Sequence, residues 1–248
     1  MNSIKNELIT KYKEIKARGW IETKRHGDQC LGNTFEDLIG KKEDNKSEAD
    51  YKGIELKSHR NITHSLITLF SNAPSYPRRA NTHLRESYGI DEDNFGKKIL
   101  NTTMNGLKEN SHRGGHSFKA IVNREEERIY IQIKDLQTKN IIDDEIYWSF
   151  GVLKKKLEKK IAIIAVLYGD EKNENGKHFV RYTEMRIIEG LTFEKLIKSI
   201  EDGKLYIDIR LGVYSSGKYI GKTHDHGTAF RMNLKDLLEI YGNVTVVV

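Results

Sequence analysis

A single cysteine, Cys30, excludes an intramolecular disulfide and suits a reducing cytoplasm, the compartment expected for this chain. Long apolar runs are missing. The longest, IAIIAVLY at 161–168, falls far short of the roughly 20 residues a membrane-spanning helix needs, so no membrane partner is expected. The first residues, MNSIKNELITKYKEIKARGW, carry charges throughout and lack the apolar stretch of a signal peptide. Prolines number only two, and both fall in SNAPSYPRRANTH, which makes that loop rigid as well as aromatic and basic. There is no internal repeat, low-complexity tract or linker.

What is present is a polar globular composition, 37% hydrophobic and 31% charged, in 248 residues, enough chain to bury a sizeable core. The net charge of +6 favours a polyanionic partner, nucleic acid first. Apolar Ile4, Leu8, Tyr12 and Ile15 share one helical face, which predicts a helix over 3–18. GNTFEDLIG at 32–40 predicts a short helix capped by Thr34 and stopped at Gly40. HSLITLF, IAIIAVLY, HFVRYTEMRII and KLYIDIRLGVY read as strands, and KAIVNREEERIYIQI reads as a hairpin. WSFGVLKKKLEKK, TFEKLIKSIEDG and a final LKDLLEIYG read as helices, with KYIGKTHDHGTAFRMN as a bent strand or hairpin arm. Without regular βαβ alternation this is an α+β pattern, a mixed sheet flanked by helices.

The chemistry concentrates in SEADYKGIELKSHR at 47–60. An acid followed two residues later by lysine occurs eight times in the chain, so the spacing alone says little. Only Glu55 and Lys57 have apolar residues at both alternate positions, Ile54 and Leu56. On a strand, residues two apart share a face, so Glu55 and Lys57 project together while Ile54 and Leu56 anchor the strand. Asp50 lies upstream across the turn-prone Gly53. Two carboxylates offer hard oxygen ligands to Mg²⁺, which polarises a phosphate and helps generate hydroxide. Lys57 can orient or deprotonate the attacking water and offset developing charge. The competing reading is a solvent-exposed ion pair worth about 0–1 kcal/mol.

Asp50, Glu55 and Lys57 resemble the D…(D/E)-x-K signature of the PD-(D/E)xK nucleases, although no proline precedes Asp50. GNTFEDLIG resembles the helix that carries an additional acid in the MutH branch of that superfamily, here Glu36. The order of elements, the length and the C-terminal YIDIRLGVY…THDHGTAFR together resemble the MvaI/BcnI-type restriction endonucleases. That resemblance implies a MutH-like fold, a single nuclease domain over 1–248 with two lobes forming a DNA cleft. The lobe over approximately 1–145 would be mainly catalytic, and that over approximately 146–248 mainly for recognition. It implies a type II restriction endonuclease that cleaves double-stranded DNA with one or two Mg²⁺, leaving 5′-phosphate. The site would be a pseudosymmetric five-base-pair CC-N-GG sequence, CC(A/T)GG favoured. A monomer working by sequential nicking, with a cognate DNA methyltransferase in the host, completes the picture. Asp50, Glu55 and the Leu56 carbonyl would hold the metal. The alternatives are a MutH-like mismatch-repair nicking enzyme and a non-catalytic sequence-specific DNA-binding protein.

Asp208 and Arg210 share a strand face and suit G·C readout, arginine donating to guanine and aspartate accepting from cytosine. His224 and His226 fall on one face with Asp225 opposite and Arg231 nearby. Two histidines without thiolates or a third ligand make a poor zinc site, so they are read as base-edge donors. Gly227 would let the backbone approach a groove. Tyr76, Arg78 and Arg79, and the basic loop of His112, Arg113 and His116, are read as phosphate or groove contacts, each with a solvated loop as its alternative. The lysine run KKKLEKK at 154–160 is read as a solvated helix face and kept out of the site.

Overall fold

The computed structural model describes residues 2–27, 29–41, 48–60, 66–92, 97–214, 217–225 and 228–248. From the N-terminus come α1 (Asn2–Lys16), β1 (Ile21–Thr23), α2 (Cys30–Leu38), β2 (Glu55–Arg60) and β3 (Ile67–Ser71). Then follow α3 (Ala80–Tyr88), β4 (Ile90–Glu92), β5 (Lys97–Met104), β6 (His116–Asn123), β7 (Arg128–Asp135), β8 (Ile141–Asp143) and β9 (Tyr147–Ser149). The middle of the chain forms α4 (Phe150–Lys156), one π-helical turn (Leu157–Ile161), β10 (Ile163–Glu174) and β11 (Lys177–Glu189). The last elements are α5 (Phe193–Glu201), β12 (Leu205–Val213), β13 (Thr223–Asp225), β14 (Ala229–Met232), α6 (Leu234–Tyr241) and β15 (Asn243–Val247).

Two compact units result. One comprises Met1–Ile67, Leu157–Leu191 and Leu237–Val248, the other Thr68–Lys156 and Thr192–Asp236. They interleave along the chain, so a single boundary near residue 145 does not separate them. The reason is strand pairing between distant segments: β2 lies parallel to β10, Glu55 beside Ile164 and Lys57 beside Val166.

The first unit is built on a five-stranded sheet of order β1-β11-β10-β2, with β15 also paired to β11. β10 is buried from Ile163 through Tyr168, which is why its sequence is a continuous apolar run rather than an alternation. Leu8, Tyr12 and Ile15 of α1 and Leu31 and Phe35 of α2 pack in one core with Ala165 and Leu167. At the bulge between Tyr168 and Gly169 the backbone passes close to a neighbour. A Cβ at Gly169 would stand 2.5 Å from the Arg181 carbonyl oxygen, so only glycine fits.

The second unit holds a six-stranded sheet of order β3-β14-β12-β5-β4, with β13 on β12, and a four-stranded sheet of order β6-β7-β8, with β9 on β7. The expected hairpin is β6–β7, paired from His116/Asp135 to Asn123/Arg128. Two local expectations are corrected. Thr34 does not cap α2, which begins four residues earlier at Cys30; Thr34 is buried within the helix, and its hydroxyl shares a 2.8 Å hydrogen bond with that of Thr23. LKDLLEIYG is not the last element either, because Asn243–Val247 adds β15 to the first sheet.

Candidate active site

The acidic site is assembled by a tight turn. Tyr51 and Ile54 exchange backbone hydrogen bonds of 2.8 Å in both directions, and the two residues between them, Lys52 and Gly53, have φ of 47° and 92°. Positive φ at both central positions is the twist of a type I′ turn, which accounts for glycine here. The turn folds the chain back so that Asp50 Oδ2 accepts from the Leu56 backbone N–H at 3.0 Å. Tyr51 is held from below by donation of its hydroxyl to Glu7 of α1 at 2.7 Å.

Glu55 opens β2 and is only 1% exposed, so the reading of a solvated surface pair fails for it. Lys57 Nζ donates to Glu55 Oε1 at 2.6 Å, and Lys160 Nζ stands 3.4 Å from the same oxygen. Lys160 thus belongs to the site, contrary to the solvated-face reading of its lysine run. It was hidden because a lysine run is usually a solvated face; here Lys160 lies on the π-helical turn that follows α4. Burial raises the pKa of Glu55 above the ordinary carboxylate range, more than Lys57 and Lys160 lower it.

Lys41 is a second residue the sequence did not single out. Its ammonium pairs with Asp50 and lies 3.0 Å from Glu36 Oε2. Burial pushes the Asp50 carboxyl upward, but Lys41 and the Leu56 N–H outweigh it, and the net shift is downward. Lys41 is pulled down by burial and raised further by Asp50 and Glu36. Glu36 reaches this cluster from α2, which approaches β2 closely: a Cβ on Gly32 would sit 3.1 Å from Ser58 Oγ. Asp37, its neighbour, turns away and takes two 2.9 Å hydrogen bonds from Arg25.

The expected residues Glu36, Asp50, Glu55, Leu56 and Lys57 are therefore brought together, with Lys41 and Lys160 added. Leu56 contributes its N–H to Asp50. The donors fit a hard divalent cation on two observations. Among the described residues Glu55 Oε2 is buried without a hydrogen-bond partner, and a lysine ammonium supplies positive charge between Asp50 and Glu36.

The residues expected to read DNA lie in the second unit. Asp208 is buried, and its carboxylate is already engaged. It accepts from Thr103 Oγ1 at 2.9 Å, Arg231 Nη1 at 2.7 Å and Arg210 Nη2 at 2.8 Å. It fixes two guanidinium groups, of which Arg210 is exposed. His224 stacks on Tyr214 with ring centroids 4.1 Å apart, and Asp225 accepts from Asn81 Nδ2 at 2.6 Å. His226 and Gly227 lie outside the described residues. Arg78 and Arg79 are exposed beside Tyr76, whose ring stacks on Tyr147 at 5.4 Å. His112 is buried against Phe118 and accepts from the Gly114 N–H at 3.2 Å, so it builds its loop rather than facing outward.

Carboxylates grouped with lysines at the start of a strand, in a mixed α+β fold, define a nuclease of the PD-(D/E)xK class. Residues 9–241 match the model of the MvaI/BcnI restriction endonuclease family, and the chain belongs to that family, a type II restriction endonuclease acting on DNA. It is similar to the solved structure described as "Restriction endonuclease MvaI-cognate DNA substrate complex", with 41% identity, 98% of each chain covered and a TM-score of 0.89. It is also similar to "Restriction endonuclease MvaI in the absence of DNA", with 40% identity, 100% of this chain and 99% of that chain covered and a TM-score of 0.67. No curated protein matches.

Lys41→Met leaves Asp50 and Glu36 without their shared cation. In metal-free buffer it should cost about 1–3 kcal/mol at neutral pH, below the 3–5 kcal/mol of a fully buried broken pair. The Asp50 pKa is depressed in the native state, so this stability is complete above the unfolded carboxyl value of about 3.9 and is lost as pH falls through the lower native value. Urea melts of both proteins should therefore differ at pH 7 and converge in strong acid.

Proposed function

We propose that the chain hydrolyses phosphodiester bonds of double-stranded DNA in a Mg²⁺-dependent reaction, leaving 5′-phosphate. The single observation that carries this reading is the buried Oε2 of Glu55 beside Lys57, without a hydrogen-bond partner among the described residues. Asp50 and Glu55, with the Leu56 carbonyl, would hold the metal, and Glu36 would be the auxiliary acid. When bound, Mg²⁺ supplies electrophilic stabilisation of the phosphate and lowers the pKa of water. Lys57 positions the attacking water and can take its proton; Lys160 shares the charge of Glu55 and holds that carboxylate in place. Lys41 balances Asp50 and Glu36.

The likeness to a MvaI complex with cognate DNA supports sequence-specific DNA as the substrate, and the family resemblance implies a site of the CC-N-GG type, with CC(A/T)GG favoured. The first unit would be mainly catalytic. The second would read the sequence through Arg210 and Arg231, held by Asp208, with His224, Asp225 and His226 alongside. Tyr76, Arg78 and Arg79 would contact the backbone. The setting would be the cytoplasm, with a cognate methyltransferase protecting host DNA.

A plasmid digest tests the chemistry. Lys57→Ala should lose Mg²⁺-dependent cleavage while specific binding, measured by gel shift, stays near that of the native protein. Equal loss of both would remove Lys57 from the water-activating role.

Readout is tested separately. Arg210→Ala should cost roughly 1–3 kcal/mol of discrimination at one base pair. Arg78→Ala should weaken binding to every sequence alike and flatten its salt dependence. A uniform loss of affinity in Arg210→Ala would overturn this division.

A central base pair breaks the twofold symmetry of a five-base-pair site, whereas a symmetric dimer needs matching half-sites. We therefore propose a monomer that nicks one strand and then the other. With one-site supercoiled plasmid in excess, a nicked circle should precede linear product, most visibly at raised salt. Direct linearisation by an enzyme that sediments as a dimer on DNA would exclude it.

A further inference from the structure

A second group of metal-ligating side chains lies in the first unit, formed by residues the nuclease mechanism does not use. Cys30 Sγ, a Glu171 carboxylate oxygen and a His178 ring nitrogen all lie within 4.8 Å of one another. Three different elements supply them: the first residue of α2, β10 and β11. In the β10–β11 ladder Asn173 faces His178 and Glu171 faces Val180. Cross-strand partners and residues two apart share a face, so Glu171, Asn173, His178 and Val180 all project to the same side. Val180 and Cys30 are both fully buried there.

The histidine is oriented for a cation. His178 Nδ1 is hydrogen-bonded to Asn173 Oδ1, which orients the ring so that Nε2 faces Glu171. That Nε2 is buried without a hydrogen-bond partner among the described residues and stands 3.6 Å from Glu171 Oε2. A ring nitrogen and a carboxylate oxygen that face each other are bridged by a proton or by a metal ion. Bonds of about 2.0–2.2 Å from zinc to nitrogen and oxygen place tetrahedral neighbours roughly 3.3–3.5 Å apart, close to this separation. The supporting shell is present too. Arg60 Nε donates to the other carboxylate oxygen of Glu171 at 2.9 Å and orients it. The Cys30 thiol donates to the Arg25 carbonyl at 3.1 Å, a bond given up when the thiolate binds a metal and its proton leaves to solvent.

We propose that Cys30, Glu171 and His178 form a site for a thiophilic divalent cation of the Zn²⁺ class, distinct from the Mg²⁺ site. Thiolate and imidazole select such ions over Mg²⁺, which prefers oxygen alone. Three protein ligands leave a fourth position for water. The ion would clasp the start of α2 to the β10–β11 hairpin. Because α2 also carries Glu36, the clasp would stabilise the scaffold of the catalytic acids without entering the reaction.

Co²⁺ and Zn²⁺ titrated into the metal-free full-length protein test this. Co²⁺ should produce a near-ultraviolet thiolate-to-metal charge-transfer band, with one ion per chain. The band should persist in Asp50→Asn and vanish in Cys30→Ser. Zn²⁺ should raise the melting temperature of the native protein by several degrees, and His178→Gln should weaken Zn²⁺ binding by roughly tenfold or more. The metal-free melting temperature of each variant checks its fold, and Glu171→Gln replaces any variant that fails to fold. Absence of the band, its survival in Cys30→Ser, or its loss in Asp50→Asn with Cys30 intact would overturn the proposal. The last result would place the ion among the catalytic carboxylates. Failure of Lys57→Ala to abolish cleavage would strike the role given to Lys57 and leave this site untouched.

Discussion

Burying one carboxylate is the constraint around which the first unit is arranged. Glu55 begins β2, and β2 pairs with β10, whose Ile163–Tyr168 segment is buried. A carboxylate carried into such a setting pays a desolvation penalty of several kcal/mol unless charge and hydrogen bonds meet it. Lys57 from the same strand and Lys160 from the preceding helical turn both meet one oxygen, Oε1. The other oxygen is left without a partner among the described residues. The remaining imbalance suits a divalent cation, and it explains why the pKa of Glu55 stays raised despite two neighbouring lysines.

Asp50 and Glu36 solve the same problem differently. Lys41 stands between them, and the Leu56 N–H completes the coordination of Asp50. The Asp50 pKa consequently moves down while that of Glu55 moves up. Two acids five residues apart in sequence thus shift in opposite directions, set by whether their partners match their burial. The second unit repeats the device with the signs reversed: a buried Asp208 gathers Arg210 and Arg231 and presents them as a rigid pair. Holding a guanidinium in advance lowers the ordering cost of a bidentate base contact.

Several features were legible before the structure. Ile54 and Leu56 flanking Glu55 marked the strand, and Gly53 marked the turn that returns Asp50. Glu36 stood out through the resemblance of GNTFEDLIG to the acid-bearing helix of the MutH branch. Other features were not legible. Lys41 lies outside any periodic element, and only the fold-back of residues 48–56 brings Asp50 to it. Lys160 was masked by its place in a run of lysines that reads as a solvated face. Cys30, Glu171 and His178 are more than a hundred residues apart at their extremes, and no local pattern joins them.

The sequence by itself determined which segments become strands and helices, because apolar periodicity and turn residues act over a few neighbours. It also determined that Glu55 and Lys57 share a face, since the two-residue period of a strand leaves no choice. Which groups meet across the chain was decided only by tertiary structure. The parallel pairing of β2 with β10 and the close approach of α2 at Gly32 bring Lys41, Glu36 and Lys160 to the acids. The physical reason is that a buried charge needs partners within a few ångströms, and such distances are set by packing between segments, not by spacing along the chain.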